Sequence, residues 1–153
     1  MTTNNHVHEP NPVPPSADSR FILTWPHADG RNISLEDLLM LPQTMLTNCY
    51  IVSTGHGTSG PFEFSGPTLL ALLEASLPTD LTWQEVEVIS ADGFGTRLMA
   101  AELIEPERPI ILAITLAGQS MTRQEGLVRL IVPSERDDAL RQVKWVGQIN
   151  VLG

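Results

Sequence analysis

The densest chemistry in this chain lies in the segment STGHGTSG, where Gly55 and Gly57 flank His56, Gly60 follows, and Ser53, Thr54, Thr58 and Ser59 supply hydroxyls. A glycine-bordered loop of this kind can turn several backbone N–H groups inward and cradle an anion. The plain alternative is a simple connection with His56 at its surface. No Gly-Lys-Ser/Thr follows, and the next helix signal, at Pro67, comes several residues later, which argues against a nucleoside triphosphate loop. Cys49, the only cysteine, precedes Ser53 by four residues. Its thiolate could ligate a metal or act as a nucleophile, but a cysteine without a nearby partner is more often a small buried hydrophobe. Ser53 or Ser59 with His56 and Asp92 can be written as a hydrolytic triad. G-x-S-x-G is missing, however, as is the alternation of strands with substantial helices that such hydrolases need. His6 and His8 form an H-x-H pair able to grip a metal, though they sit in a polar, Pro/Asn-rich segment that reads as a solvated tail.

The cations are few and unevenly placed. Five of the nine (Arg123, Arg129, Arg136, Arg141 and Lys144) fall in the last 31 residues, and Lys144 is the only lysine. Arg129 stands inside LVRLIVP, where every neighbour is apolar. Burying its guanidinium is costly unless an anion or a carboxylate pairs with it. Either an internal ion pair, for instance with Asp92, or a bound phosphate would satisfy it, and chain geometry could bring Arg129 and Lys144 together.

The elements that must position these residues follow from length, composition and patterning. At 153 residues, with 42% hydrophobic and 18% charged residues, the chain fits one domain of ordinary size and excludes wholesale disorder or coiled coil. A net charge of −9 repels a phosphodiester backbone, so nucleic-acid binding is not expected. One cysteine excludes an internal disulfide and the paired spacings of structural zinc sites. No apolar run approaches the ~18 to 20 residues that span a bilayer, and no signal-peptide pattern opens the chain. A soluble, unexported, cytoplasmic protein is the expectation.

Residues 1–19, with four prolines and three asparagines, read as a disordered tail, and 20–153 as the folded domain. FILTW reads as a strand closed by the turn residues ADGR. Ser34 with Asp37 three residues on is a capping box for a short helix whose face is Leu35, Leu38 and Leu39, stopped by Pro42. TMLTNCYIVS at 44–53 reads as a strand running into the glycine/serine loop. PTLLALLEAS reads as a second helix with Pro67 in its first turn. EVEVIS alternates strictly, with Val86, Val88 and Ser90 on one face, and Asp92-Gly93 turns the chain afterwards. Further strands are expected in GTRLMA, IILAITLAG, LVRLIVP and VKWVGQINVL. Strands dominate, with few and short helices.

In this order the pieces resemble the oxidoreductase molybdopterin-binding domain of the sulfite oxidase family, over roughly Phe21 to Leu152. The most specific stretch is EGLVRLIVPSERDDALRQVKWVGQINVL. It is similar to the family's terminal block: a glycine, an arginine within an apolar strand, Val-Pro, a variable loop, then Val-Lys-Trp leading into the last strand. SLEDLLMLP, FSGPTLLALL, ADGF and LAGQSMT support it. The resemblance implies an α+β fold, a strand-rich mixed-sheet sulfite oxidase-like domain with a few short helices. It also implies a molybdopterin whose phosphate is held by backbone amides and basic side chains. Arg129 and Lys144 become the phosphate contacts, with Gly126 allowing close backbone approach. Ser53, His56, Asp92 and Gly93 are the remaining candidate contacts, and Phe94 stands where tyrosine is usual.

Two departures bear on activity. In the family a cysteine thiolate at the end of the strand opening onto the cofactor loop binds molybdenum. Anchoring the register on FSGPTLLALL puts Ser53 there, roughly 13 Å along an extended strand from Cys49. Either the strand ends early at Cys49 or the thiolate ligand is gone, and loss is the favoured reading. A serine hydroxyl is a harder, less acidic ligand. Glu125 precedes Gly126 where relatives commonly carry histidine, and a carboxylate there would repel phosphate. Two functions remain open. One is a molybdopterin-binding oxidoreductase-like domain, performing oxygen-atom or electron transfer at molybdenum with a redox protein partner, or binding another small phosphorylated ligand. The other is a degenerate non-catalytic module, its pocket collapsed around an internal ion pair, that binds a protein or a small anion.

Overall fold

A computed structural model describes residues 18–53, 57–106, 108–133 and 142–153, and only the backbone of 50–53 and 57–59. His6, His8, His56, Arg136, Arg141 and nearly all of the expected tail lie outside the described residues. The first strand, β1 (Phe21–Thr24), turns back into β2 (Arg31–Ile33). Helix α1 (Leu35–Leu39) follows, and its start is the capping box read from the sequence: Ser34 Oγ accepts from Asp37 N, and the Asp37 carboxylate accepts from Ser34 N. Leu38 is fully buried, whereas Leu39 points to solvent, so the apolar face is narrower than the leucine spacing predicts.

Strands β3 (Thr44–Ser53) and β4 (Gly57–Gly66) form a long antiparallel hairpin. The segment read as a loop from Ser53 to Gly60 is therefore largely strand: Ser53 pairs with Gly57, Val52 with Thr58 and Ile51 with Ser59. Glycine and serine mimic loop composition, yet a hairpin connection can be very short, and cross-strand pairing then governs the flanking residues. Helix α2 (Leu69–Ser76) starts at Thr68, whose hydroxyl accepts from Ala71 N, so Pro67 precedes the cap rather than occupying the first turn. Strand β5 (Glu85–Ser90) buries Val86, Val88 and Ser90 as its alternation requires. It turns through Asp92-Gly93 into β6 (Gly95–Met99).

A helix that the sequence did not announce, α3 (Ala100–Ile104), follows at once; the Glu102 carboxylate accepts from Met99 N at 2.8 Å and closes its first turn. The apolar run IILAITLAG splits into β7 (Ile111–Ala113) and β8 (Thr115–Leu116), which join different sheets. The remaining strands are β9 (Gln119–Ser120), β10 (Arg129–Ile131) and β11 (Val146–Leu152).

Three sheets result: β2-β1-β11-β5-β6, the pair β10-β7, and β3-β4-β8-β9. Pairing is antiparallel except between β1 and β11, where the chain's first and last strands run parallel. The larger apolar cluster packs the five-stranded sheet against the helices and one face of β10, including Val128, Leu130 and Val143. A smaller cluster, with Leu46, Cys49, Phe64, Ile111, Ala113, Met121 and Ile131, joins the β3-β4 hairpin to the other face of β10-β7. The two layers approach closely at Gly66, where a β-carbon would stand 1.9 Å from the Leu112 carbonyl oxygen. The architecture is the strand-rich α+β expected. No described helix is long and apolar enough to cross a membrane.

Candidate functional site

Strand β10 begins directly after a one-turn coil, and that coil shapes the site. Thr122 caps it: Glu125 N donates to Thr122 Oγ1, and the Glu125 carboxylate accepts from Thr122 N at 2.9 Å through Oε1. The Glu125 carboxylate is thus turned to the start of the coil, where it satisfies a backbone donor, and its role is structural where the sequence suggested only repulsion of phosphate. Gly126, Leu127 and Trp145 all adopt positive φ, of 113°, 59° and 49°. For Leu127 and Trp145 that conformation is strained by about 1 to 3 kcal/mol each and persists only because the surrounding structure enforces it.

Two backbone links tie the coil to the approach of β11. Trp145 N donates to Gly126 O at 2.9 Å, and Trp145 Nε1 donates to Arg123 O at 2.7 Å. Gly126 does permit a close approach, but to Lys144: a β-carbon on it would lie 3.1 Å from Lys144 Cβ. Beyond the coil, Leu130 and Val143 exchange both backbone hydrogen bonds, Leu130 N to Val143 O at 2.8 Å and Val143 N to Leu130 O at 3.2 Å. Arg129 is then the cross-strand neighbour of Lys144, so the two cations converge on one face.

Arg129 is 6% exposed. Its guanidinium carbon lies 5.6 Å from the centre of the Phe64 ring, and Nη1 reaches the Glu125 carbonyl oxygen at a long 3.5 Å, while Nε is buried without any partner. No carboxylate lies within ion-pairing distance of it among the described residues. The expected ion pair with Asp92 is not formed: Asp92 is exposed on the β5-β6 turn, and its carboxylate accepts from Phe94 N at 3.1 Å. Desolvation lowers the Arg129 pKa to about 10, offset in part by the negative charge of Glu125. The Lys144 ammonium, 5.6 Å from the centre of the Trp145 ring, also has a lowered pKa, first through desolvation and then through the charge of Arg129. Two neighbouring cations, of which Arg129 disfavours the protonation of Lys144, make a field for an anion.

The other sequence candidates fall on either side of this pair. Asp92 and Gly93 are brought near it, because Ala91 N donates to Trp145 O at 2.8 Å, and the space where a Gly93 β-carbon would stand is open. The backbone of Ser53 lies at the end of β3; its side chain and the whole of His56 lie outside the described residues. Cys49 belongs elsewhere. β3 continues past it to Ser53, so the strand does not end early at the thiol. Cys49 is 3% exposed in the smaller apolar cluster, its Sγ 3.8 Å from Thr47 O and 3.9 Å from Arg108 Nη2, where the strand is bulged.

Sequence reasoning missed the aromatic floor. Phe64 lies under Arg129, and Phe62, two residues earlier on the same face, is tilted against it at 6.0 Å. The only sequence signal was the alternation in FEF. Phe62 and Glu125 also line an open depression of about 690 Å³ beside the coil, together with Glu63, Leu116, Gln119 and Thr122.

The residues present match the phosphate end of a molybdopterin better than its metal end. A buried guanidinium with an unpartnered donor, backed by a second cation, suits a phosphate. Among the described residues no group of three His, Cys, Asp or Glu could hold a metal ion, and the Cys49 thiol is buried in the smaller cluster beside Thr47 O and Arg108 Nη2.

No curated protein sequence matches the chain. Among solved structures it is similar to the sulfane dehydrogenase SoxCD from Paracoccus pantotrophus, with a TM-score of 0.67 and 21% identity over 87% of this chain, a likeness of fold. The match spans 38% of that protein's chain. The family described as the oxidoreductase molybdopterin binding domain matches residues 12–153, taking in both cations, the coil that precedes Arg129 and every described strand. This chain belongs to that family.

Proposed function

We propose that the domain binds the phosphate-bearing end of a molybdopterin-type cofactor, or of another small phosphorylated ligand, at the face formed by Arg129 and Lys144. The observation that carries this reading is the buried Arg129 guanidinium with an unpartnered Nε and, among the described residues, no carboxylate within ion-pairing distance. A protein that gained nothing from this charge would be more stable with an apolar side chain there. Arg129 supplies a planar, directional donor set and Lys144 a mobile point charge at the rim. Gly126 lets Lys144 lie close to the coil, and Asp92 and Gly93, tied to Trp145 through Ala91, are kept as further proposed contacts.

When bound, a molybdopterin supplies oxygen-atom or electron transfer at molybdenum. The chain's own part is to anchor the phosphate, to withdraw it from water against Phe64, and to border the adjoining depression through Phe62 and Glu125. Ser53 and His56 are kept as further proposed contacts. A redox protein partner and a reducing, cytoplasmic setting belong to the same reading; the lone buried cysteine is compatible with both.

The test is protein purified from a host that assembles molybdenum cofactor, assayed for released pterin and for molybdenum. Pterin in stoichiometric amount, lost in Arg129→Met, is the expected result. Apoprotein whose melting temperature does not move with added phosphate or phosphorylated pterin would overturn it.

A further inference from the structure

Two Asp-Gly pairs lie in turns of the five-stranded sheet, Asp29-Gly30 between β1 and β2 and Asp92-Gly93 between β5 and β6. Such a pair can react with itself, because glycine carries no side chain to hinder its nitrogen. The glycine nitrogen attacks the side-chain carboxyl carbon of the aspartate. A C–N bond forms, and the carboxyl hydroxyl leaves as water with the amide proton, which gives a five-membered succinimide. Water then opens the ring at one of its two carbonyls. One product is aspartate again; the other is isoaspartate, in which the main chain runs through the side-chain carboxyl and the α-carboxylate is free. No oxidant, reductant or cofactor is consumed, and the mass of the chain is unchanged.

The fold holds the two pairs differently. Gly93 N donates to Ser90 O at 2.9 Å, and the Asp92 carboxylate accepts from Phe94 N at 3.1 Å through Oδ1, while Asp92 N donates to Ser90 Oγ at 3.2 Å. Attack there requires Gly93 N and the Asp92 carboxyl each to give up a hydrogen bond. At Asp29-Gly30 neither is tied. The hydrogen bond that closes this turn lies upstream, from Ala28 N to Trp25 O at 3.3 Å, with His27 at a φ of 65°. Pairing with β1 resumes only at Arg31, opposite Leu23. Between these two points Asp29 is exposed, and among the described residues neither its carboxylate nor Gly30 N has a hydrogen-bond or ionic partner.

We propose that Asp29 is a site of spontaneous isoaspartate formation in the folded protein. The product presents at the surface the free α-carboxylate that an isoaspartyl carboxyl methyltransferase takes as its substrate. Isomerisation also inserts one methylene into the main chain two residues before the Leu23–Arg31 pair. Ile33, fully buried, and Ser34, the cap of α1, follow directly, so the added length falls where β2 must stay in register. This site is independent of the anion-binding reading above.

The full chain is aged in two parallel incubations, one folded in neutral buffer and one in concentrated guanidinium chloride, and then cut with trypsin. Cleavage after Arg20 and Arg31 puts Asp29 in peptide 21–31, whose only aspartate it is, and Asp92 in peptide 32–97. Isoaspartate is scored in each by methyl transfer from S-adenosylmethionine with isoaspartyl methyltransferase, and by electron-transfer fragmentation, which distinguishes the isomers. Each hydrogen bond that must break first slows the step about fivefold, so in the folded protein Asp29 is expected to convert about 10- to 30-fold faster than Asp92. In the denatured chain, where those bonds are gone, the two rates should converge. Equal rates in the folded protein, or a faster Asp92, overturn the inference. So does an Asp29 that isomerises only in the denatured chain. Asp29→Glu, which lengthens an exposed side chain, should remove the signal from peptide 21–31 and leave that of Asp92 unchanged; a signal that persists also overturns it.

Discussion

Replacing Arg129 by methionine should stabilise the ligand-free protein while abolishing its response to phosphate. The fall of the Arg129 pKa to about 10 reports a penalty on the buried charged form of about 3 kcal/mol, at about 1.4 kcal/mol per tenfold change in protonation equilibrium. That is the upper bound of what methionine can recover, since its stem fills nearly the same space. Against it stands the loss of the contact with the Phe64 ring, about 0.5 to 2 kcal/mol. The net gain is about 1 to 2 kcal/mol, or roughly 2 to 8 °C in Tm for a domain of this size.

The assay is a pair of thermal melts, with and without phosphate. At phosphate ten times its Kd the wild-type protein gains about 1.4 kcal/mol, and Arg129→Met gains nothing. A variant that melts below wild type in phosphate-free buffer would refute the reasoning, because it would mean that the guanidinium is satisfied within the fold and has no need of a ligand.

Three further outcomes follow from the same geometry. Since the folded pKa of Lys144 lies below its ordinary value, the folded protein binds fewer protons between those two values. Anion affinity should therefore fall as pH rises through the folded pKa, while the Lys144 contribution to ligand-free stability rises over the same window; titration calorimetry and melts across alkaline pH check both signs. Gly126→Ala places a β-carbon 3.1 Å from Lys144 Cβ at a φ of 113°, and should cost about 1 to 3 kcal/mol of stability and weaken phosphate binding by displacing Lys144, measured by melts and calorimetry. Cys49→Ser shortens a buried side chain packed in the smaller cluster, so that its hydroxyl stands farther from Thr47 O and Arg108 Nη2 than Sγ does, and should lower stability by about 1 to 3 kcal/mol while leaving phosphate affinity within twofold. Loss of binding in the cysteine variant alone would move the site to β3.

What could be read in advance was whatever is encoded locally. The strict alternation of EVEVIS and the Ser34/Asp37 capping box each specify their element through neighbours a few residues apart, and both are formed as read. The segment GTSG failed because its composition is that of a loop while its conformation is set by β3 across the hairpin. Helix α3 failed for a related reason: it begins where a strand stops, at Met99, which carries no capping oxygen, and the only cue is Glu102 reaching back. Arg129 stood out because a charge among apolar residues demands an explanation wherever it folds. Its neighbours were legible only in part. Lys144 came from the resemblance and from its rarity, whereas Phe64 depends on which strand lies beneath β10, and that is a property of the assembled sheets.

The choice of one hairpin face for all of this has an energetic logic. A molecule with a net charge of −9 repels anions over most of its surface, so an anion site must be built where the local field dominates the remote one. Burial achieves that, because attraction to a nearby cation grows as water is excluded while distant carboxylates remain screened. The same burial leaves Arg129 Nε and Gln142 Oε1 without partners, and holds Leu127 and Trp145 at positive φ. Each of these destabilises the fold, and on the proposed reading an anion at this face offsets the cost at Arg129. The coil from Thr122 to Gly126 is what makes such an arrangement sustainable: its capping bonds and the two Trp145 links fix the strained residues from the side away from the opening. A surface site built from the same residues would be more stable and would bind less.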